Sequence, residues 1–285
     1  MRTIPQPAPW AHQLPEANPP AAMAIHHLPT GTYETRAVFA VSGGAFRDKR
    51  RFAASAILVT HPQGDLLIDA GFGSGVEEHI SMLPRMVRAP HQVGRTVSDQ
   101  LNSTAYDRSR LIGVLPTHSH WDHVSGLDGL RDVPVWLNDG ERKYAETDPD
   151  GKVFRKVSVG HKIQSYDFQS GPYLGFAKSY DVYGDGSVVI ALAGGHTTGS
   201  VIVFIALPSG QRYAFIGDLT WQMDGIRRRV ERPWVLSKLA DSDQDQLRQS
   251  LSKMIALDAE MQIVPAHDLG AYEGIPLLVP ESEQH

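Results

Sequence analysis

The segment Thr117-His118-Ser119-His120-Trp121-Asp122-His123 concentrates three imidazoles and one carboxylate between positions 118 and 123. On an extended loop, residues two apart share a face, so His118 and His120 can point at one metal ion. Asp122 and His123 then lie across a turn and can face a second ion. Imidazole and carboxylate without thiolate suit Zn, Fe, Mn or Co. A structural zinc site is closed by its ligands, commonly including Cys, and this chain has no Cys. The cluster therefore reads as a site that keeps a water, with a solvated histidine-rich loop as the bland alternative. Three later residues weaken that alternative. His196, Asp218 and His267 each follow an apolar strand and lie beside Gly or Pro, in Gly194-Gly195-His196, Ile216-Gly217-Asp218 and Val264-Pro265-Ala266-His267. Four strand ends that supply seven metal-ligand side chains are hard to obtain by chance.

These donors need elements to carry them. Leu111 to Pro116 is a short apolar run entering Thr117-His118. It reads as a buried strand delivering a polar loop at its C-terminal end, where open α/β sheets place their chemistry. Ala53–Thr60 and Asp65–Ala70 flank the turn His61-Pro62-Gln63-Gly64 and predict a hairpin ending at Gly71-Phe72-Gly73. Tyr33–Val41 is also strand-like. Residues 74–106 read as helix, loop and helix, with Ser98 as the N-cap of the second. Val133–Leu137 is the next strand and Asp139–Glu146 the start of a helix. Residues 150–190 read as irregular strands and turns, leading to a strand at Val188–Leu192. Val201–Leu207 and Tyr213–Ile216 form a hairpin about Pro208-Ser209-Gly210. Asp241–Asp258 is the clearest helix, with Leu247, Leu251, Met254 and Ile255 at helical spacing and Ser242 with Asp245 like a capping box. Ile263-Val264 is a last strand. Residues 1–30, with seven prolines, predict an extended arm, and 31–285 a single catalytic domain. The repeated β-then-α order suggests a sheet sandwich with helices outside.

Composition narrows the function classes. The 285 residues are 41% hydrophobic and 21% charged, which excludes wholesale disorder and allows a full core. Lys and Arg number 27 against 32 Asp and Glu, a net charge of −5, so nucleic acid is not an expected partner. The absence of Cys excludes disulfides and thiolate catalysis. Val201–Leu207 is the longest apolar run, far below the roughly 20 residues that span a bilayer. The proline-broken N-terminus lacks a signal-peptide pattern. The expectation is a cytoplasmic protein with no membrane partner.

The order His118-x-His120-x-Asp122-His123, then His196, Asp218 and His267, resembles the metallo-β-lactamase superfamily over about residues 35–270. The strand Leu66-Leu67-Ile68-Asp69 before Gly71 is similar to the family's early strand, whose Asp supports the metal site from behind. The resemblance implies an αββα sandwich of class α/β, two mixed β-sheets flanked by helices, with a dinuclear site on one edge. It implies two divalent metal ions, Zn foremost, with Fe, Mn or Co as options. His118, His120 and His196 would hold one ion, Asp122, His123 and His267 the other, and Asp218 would bridge them. Asp69 would orient a ligand histidine. Such a pair of cations lowers the pKa of a bridging water, and the resulting hydroxide attacks a carbonyl that one metal polarises. Asp122 would also receive a proton as the tetrahedral intermediate collapses.

Within the superfamily, the compact layout is most similar to the quorum-quenching acyl-homoserine lactonase group. Its β-lactamases commonly use Cys in the second site, and its glyoxalase II members add a C-terminal helical domain for which the stretch after His267 is too short. Two departures stand out. The run His196-Thr197-Thr198-Gly199 lacks the group's Pro, and Trp221 stands where the group places a lactone-binding Tyr. An indole N–H donates a hydrogen bond but cannot accept one or act as an acid. Trp121, Trp221, Met223 and Phe46 are candidates for a substrate pocket, with Trp234 and Phe72 as further aromatics more in keeping with core packing. The basic runs 47–51 and 227–229 read as solvated faces that could steer an anion. The expected partner is a small-molecule lactone or ester, and a homodimer is plausible by analogy. Two alternatives stay open: a glyoxalase II-like thioesterase or phosphodiesterase/phosphotriesterase on the same metals, and a metal-retaining binding or sensor protein.

Overall fold

Most of the strand-forming runs named above become β-strands in a computed structural model of the protein, which describes residues 3–279. The chain runs β1 (Ala24–Arg36), α1 (Ala37–Ala40), β2 (Lys49–Thr60), β3 (Asp65–Ile68), α2 (Val76–Ser81), β4 (His91–Val93), α3 (Val97–Ser103) and β5 (Leu111–Leu115). It continues through α4 (Trp121–Val124), β6 (Val135–Leu137), α5 (Asp139–Thr147), α6 (Lys152–Val157), β7 (Ile163–Ser165), β8 (Ser179–Asp181) and β9 (Val188–Leu192). The last elements are β10 (Val201–Ala206), β11 (Arg212–Phe215), α7 (Asp224–Arg227), α8 (Trp234–Ala240), α9 (Gln244–Ala256) and β12 (Gln262–Val264). Two compact units share this chain. The first takes residues 22–33, 53–166 and those from 272 onward; the second takes residues up to 21, 34–52 and 167–271.

The first unit carries a mixed sheet of order β4-β1-β2-β3-β5-β6-β7. The predicted hairpin is there: β2 and β3 are antiparallel, pairing Ile57 with Ile68 and Val59 with Leu66. β3 then runs parallel to β5, and β5 to β6, so the ends of β3 and β5 emerge side by side. Both strands are buried apolar runs, as parallel strands covered on two faces must be. Leu58, Leu67, Val114, Val135, Leu127 and Phe154 join one apolar core that fixes their register.

His27 sits inside this unit. Its ring stacks on Tyr272 at 4.3 Å, and its Nε2 lies 2.9 Å from the Ser55 hydroxyl. Burial pushes its pKa down to about 4. A base with a depressed folded pKa contributes stability above its unfolded value, near 6.5, and loses it as pH falls toward 4. We expect that loss to reach about 3 kcal/mol. Urea unfolding at neutral and acid pH should show it in the wild type, and His27→Gln should abolish that part of the pH dependence.

The second unit carries a mixed sheet of order β12-β11-β10-β9-β8, antiparallel except for the parallel pair β11–β12. Helix α9 buries Leu247, Leu251, Met254 and Ile255, the residues whose spacing predicted it.

Several local expectations need correction. β1 begins at Ala24, so the end of the proline-rich stretch is sheet, not arm. Residues 37–40 turn helical where strand was expected. The second helix of 74–106 is capped by Thr96 rather than Ser98, with Asp99 completing a capping box. α9 is capped by Asp243, whose side chain accepts from Asp245 N and Gln246 N, rather than by Ser242. Four short helices were not anticipated: α4, α6, which buries Val153, Phe154 and Val157, α7 and α8. Each is under two turns long, too short for a period to register. No helix among the described residues is long and apolar enough to cross a membrane.

Candidate metal centre

In the first unit, the motif is held by the strand end beside it. β3 stops at Ile68, and Asp69 takes a left-handed conformation with φ 57°. Asp tolerates that region because its side chain bonds locally. Here Asp69 Oδ1 accepts from the Thr117 N–H at 2.6 Å, and Asp69 Oδ2 lies 2.9 Å from His123 Nδ1. The backbone adds Asp69 N to Leu115 O at 3.0 Å and Ala70 N to His123 O at 2.8 Å. One carboxylate thus fixes both the start of the motif loop and the ring of His123.

His118 is fully buried, and its Nε2 lies 3.0 Å from His120 Nδ1. His118 and His123 rings are 4.0 Å apart. The other nitrogen of His120, Nε2, is 2.9 Å from the Tyr144 hydroxyl on α5. Burial pushes the Tyr144 phenol above its usual pKa, and the charges of Asp148, Asp150 and Glu141 push it further. It stays protonated across the physiological range. Buried Glu141, also on α5, accepts from the Ser119 N–H and hydroxyl, both at 2.6 Å. Tyr33 donates from its phenol to Asp122 Oδ2 at 2.8 Å.

In the second unit, His196 follows β9 through Gly194 and Gly195, at φ 59° and 89°. A Cβ on Gly195 would come within 2.5 Å of the Leu247 backbone nitrogen, so only glycine lets α9 approach. His196 Nδ1 lies 2.9 Å from Asp241 Oδ1. The Arg232 guanidinium reaches Asp241 Oδ1 at 2.6 Å, bonds the Asp218 carbonyl, and lies over the Trp221 ring at 4.5 Å. Burial raises the Asp241 carboxyl pKa, but Arg232 and His196 together outweigh it and hold it below the usual range.

Asp218 stands between two histidines. Its Oδ1 is 3.0 Å from His267 Nε2, and its Oδ2 is 3.5 Å from His196 Nε2. The Trp221 indole donates to Oδ2 at 2.7 Å. Phe52 stacks flat on His267 at 5.3 Å. All three donors are buried.

The donor chemistry fits a hard-to-borderline divalent metal. The candidate ligand atoms are imidazole nitrogens and carboxylate oxygens. Three of the rings engage their second nitrogen: His123 with Asp69, His196 with Asp241 and His120 with Tyr144. That outer support fixes tautomer and orientation in metal-ligating histidines. Replacing Asp69 by Asn keeps the size but removes the charge behind His123. We expect metal affinity to fall by roughly 10–100-fold, measured by competition with a chromophoric chelator.

The other sequence-predicted residues fall elsewhere. Trp121 stacks on buried Phe72 at 5.4 Å and lies against Tyr33 at 5.8 Å. Met223 is buried, its N–H bonded to Asp268 Oδ2 at 2.7 Å. Phe46 is exposed and meets Phe39 edge-on at 6.3 Å. Trp234 is exposed with Lys238 over its ring. Glu141, Tyr144, Tyr33, Arg232 and Asp241 were not among the residues singled out from the sequence. Glu141 carried a signal, standing three residues after the Asn138 cap; that spacing reads as a cap, not as support for a motif loop. Arg232 lay just beyond the basic run 227–229.

Comparison with known proteins agrees with this chemistry. Residues 50–267 match the metallo-beta-lactamase superfamily, a span that contains every donor named above. A probable metallo-hydrolase of Mycobacterium bovis is 25% identical over 279 residues, covering 91% of this chain and 84% of that protein. The N-acyl homoserine lactonase AttM of Rhizobium johnstonii is 24% identical over 224 residues, covering 75% and 81%. Among solved structures, an N-acyl homoserine lactone hydrolase with N-hexanoyl-L-homoserine at its catalytic metal centre superposes with a TM-score of 0.69 at 16% identity, covering 89% and 96%. AidC, described as a dizinc quorum-quenching lactonase, gives 0.60 at 14% identity, covering 89% and 90%. The two mixed sheets with their helices are the αββα sandwich of these neighbours. The chain belongs to the metallo-β-lactamase superfamily and is a metal-dependent hydrolase.

Proposed function

We propose that both units act as one catalytic domain whose seven donors form a dinuclear centre, most suited to zinc, that opens a lactone or related carboxylic ester. On this reading, which follows the family's ligand order, His118, His120 and His196 would hold one ion, and Asp122, His123 and His267 the other. Asp218 would serve both ions. The observation that carries the reading is the Asp218 carboxylate, which turns one oxygen toward His196 and the other toward His267. That is the posture a bridging ligand needs. Lactonases among the relatives and structural neighbours favour the lactone over other esters.

Bound divalent ions supply a water of lowered pKa and polarise a carbonyl oxygen. This chain's side chains do the rest. Asp122 accepts a proton as the ring-opened product forms, its Oδ2 steadied by the Tyr33 phenol. Asp69, Asp241 and Tyr144 hold the imidazoles in one orientation. Trp221 spends its single N–H on Asp218, so it supports a metal ligand and leaves the substrate carbonyl to other groups.

The test is turnover on N-acyl homoserine lactones of short and long chain beside a γ-lactone, a thioester, a phosphodiester and a phosphotriester. The reading expects the largest kcat/KM on a lactone. A thioester or phosphoester preferred over every lactone would move the assignment to those classes, and saturable binding without turnover would make the protein a sensor.

A further inference from the structure

An apolar surface in the second unit has no role in holding the donors. Helix α8 buries only Ser237. Trp234, Val235 and Leu239 are exposed, Leu239 to 70%. Phe39, on α1, and Phe46, on the loop that follows it, are exposed as well. That loop is tied to the approach to α8: the Ser42 N–H donates to Glu231 O at 3.0 Å, and the Ser42 hydroxyl to Arg232 O at 3.2 Å. Five large apolar side chains exposed on two segments tied in this way exceed the scattered exposure normal for a soluble surface.

The charge around them identifies the partner. Residues 34–51 hold five basic and two acidic side chains, and residues 224–241 five basic and three acidic. Together they carry +5 in a chain whose net charge is −5. Lys238 lies 4.1 Å over the Trp234 ring, and Arg36 lies 4.7 Å over Phe46. Arg47, Lys49, Arg227 and Arg228 are on exposed or partly exposed surface nearby in sequence. A second copy is a poor occupant, since a two-fold contact would lay this cationic rim against itself. Exposed Trp, Leu, Val and Phe amid Lys and Arg match the boundary of an anionic bilayer, where apolar side chains enter the acyl edge and cations meet phosphates.

We infer that helix α8 and the segment from Phe39 to Phe46 form a docking surface for an anionic lipid membrane. Arg232 before α8 and Asp241 after it both touch His196, so the docked helix lies between two supports of the metal donors. The apolar half of this surface was not legible in the sequence, because α8 is only seven residues long and too short for a period to register.

The test is flotation of the metal-loaded protein with vesicles of phosphatidylcholine alone or mixed with phosphatidylglycerol. Binding should require phosphatidylglycerol and weaken with salt. Tryptophan fluorescence should be quenched by bromine-labelled acyl chains, and Trp234→Phe should remove most of that quenching. The double change Val235→Ser with Leu239→Ser should lower apparent lipid affinity at least about tenfold, with the fold intact by circular dichroism. Absence of binding to every vesicle, or equal binding to neutral ones, would overturn the inference. A concentration-dependent dimer that the double change dissociates, without lipid binding, would assign the surface to a second copy instead.

Discussion

Asp218→Ala is expected to abolish hydrolysis and to release metal. Removing an outer support costs metal sites roughly 10–100-fold in affinity or activity. Asp218 sits closer in: its two oxygens face two different histidines, and the Trp221 indole and the backbone contact from Arg232 fix it from behind. On the proposed reading, its loss weakens both ions at once, so activity should fall by about a thousandfold or more. Metal analysis of the purified variant should show depletion. Trp221→Phe provides the graded comparison. It keeps the aromatic stack under Arg232 but removes the donor to Oδ2, and should cost far less than loss of the carboxylate itself. Full activity in a metal-depleted Asp218→Ala protein would contradict the account.

Arg232→Met should unfold the protein more readily than any change at a donor. The guanidinium is buried and meets Asp241, the His196 ring, the Asp218 carbonyl and the face of Trp221. Methionine fills much of the volume but strands the Asp241 carboxylate, whose side chain is entirely buried and keeps, among the described residues, His196 and Ser237 as partners. Breaking a buried pair on one side costs about 3–5 kcal/mol. Arg232→Lys should recover only part of it, because a point charge cannot span several acceptors as a planar fork does. Denaturant unfolding in the presence of chelator separates this from any effect of metal. A loss below about 1 kcal/mol would place Arg232 among ordinary surface charges.

The candidate donors stood out in the sequence because each follows an apolar strand and breaks its pattern with a residue a core would not keep. His118 after Leu111–Leu115 and His196 after Val188–Leu192 are such interruptions, and their order along the chain carried the family resemblance that the match over residues 50–267 bears out. The strands themselves announced their period. What supports the donors was not legible. Asp241 and Arg232 meet His196 only through the folding of the second unit, and nothing in their spacing pairs them. Trp221 shows the same limit: its position suggested a substrate contact, whereas its indole is directed at Asp218. Phe46, grouped with pocket residues by its type and position, stands in the open beside Phe39. Secondary structure failed where elements are short, as at α6 and α8, and where a cap competes with its neighbour, as Thr96 does with Ser98.

The most direct test of the central claim is a metal titration of the chelator-stripped protein, following the opening of N-hexanoyl homoserine lactone as Zn is added. The account predicts no turnover without metal and a rise that breaks at about two ions per chain. A break at one ion, or lactone opening by the metal-free protein, would contradict it.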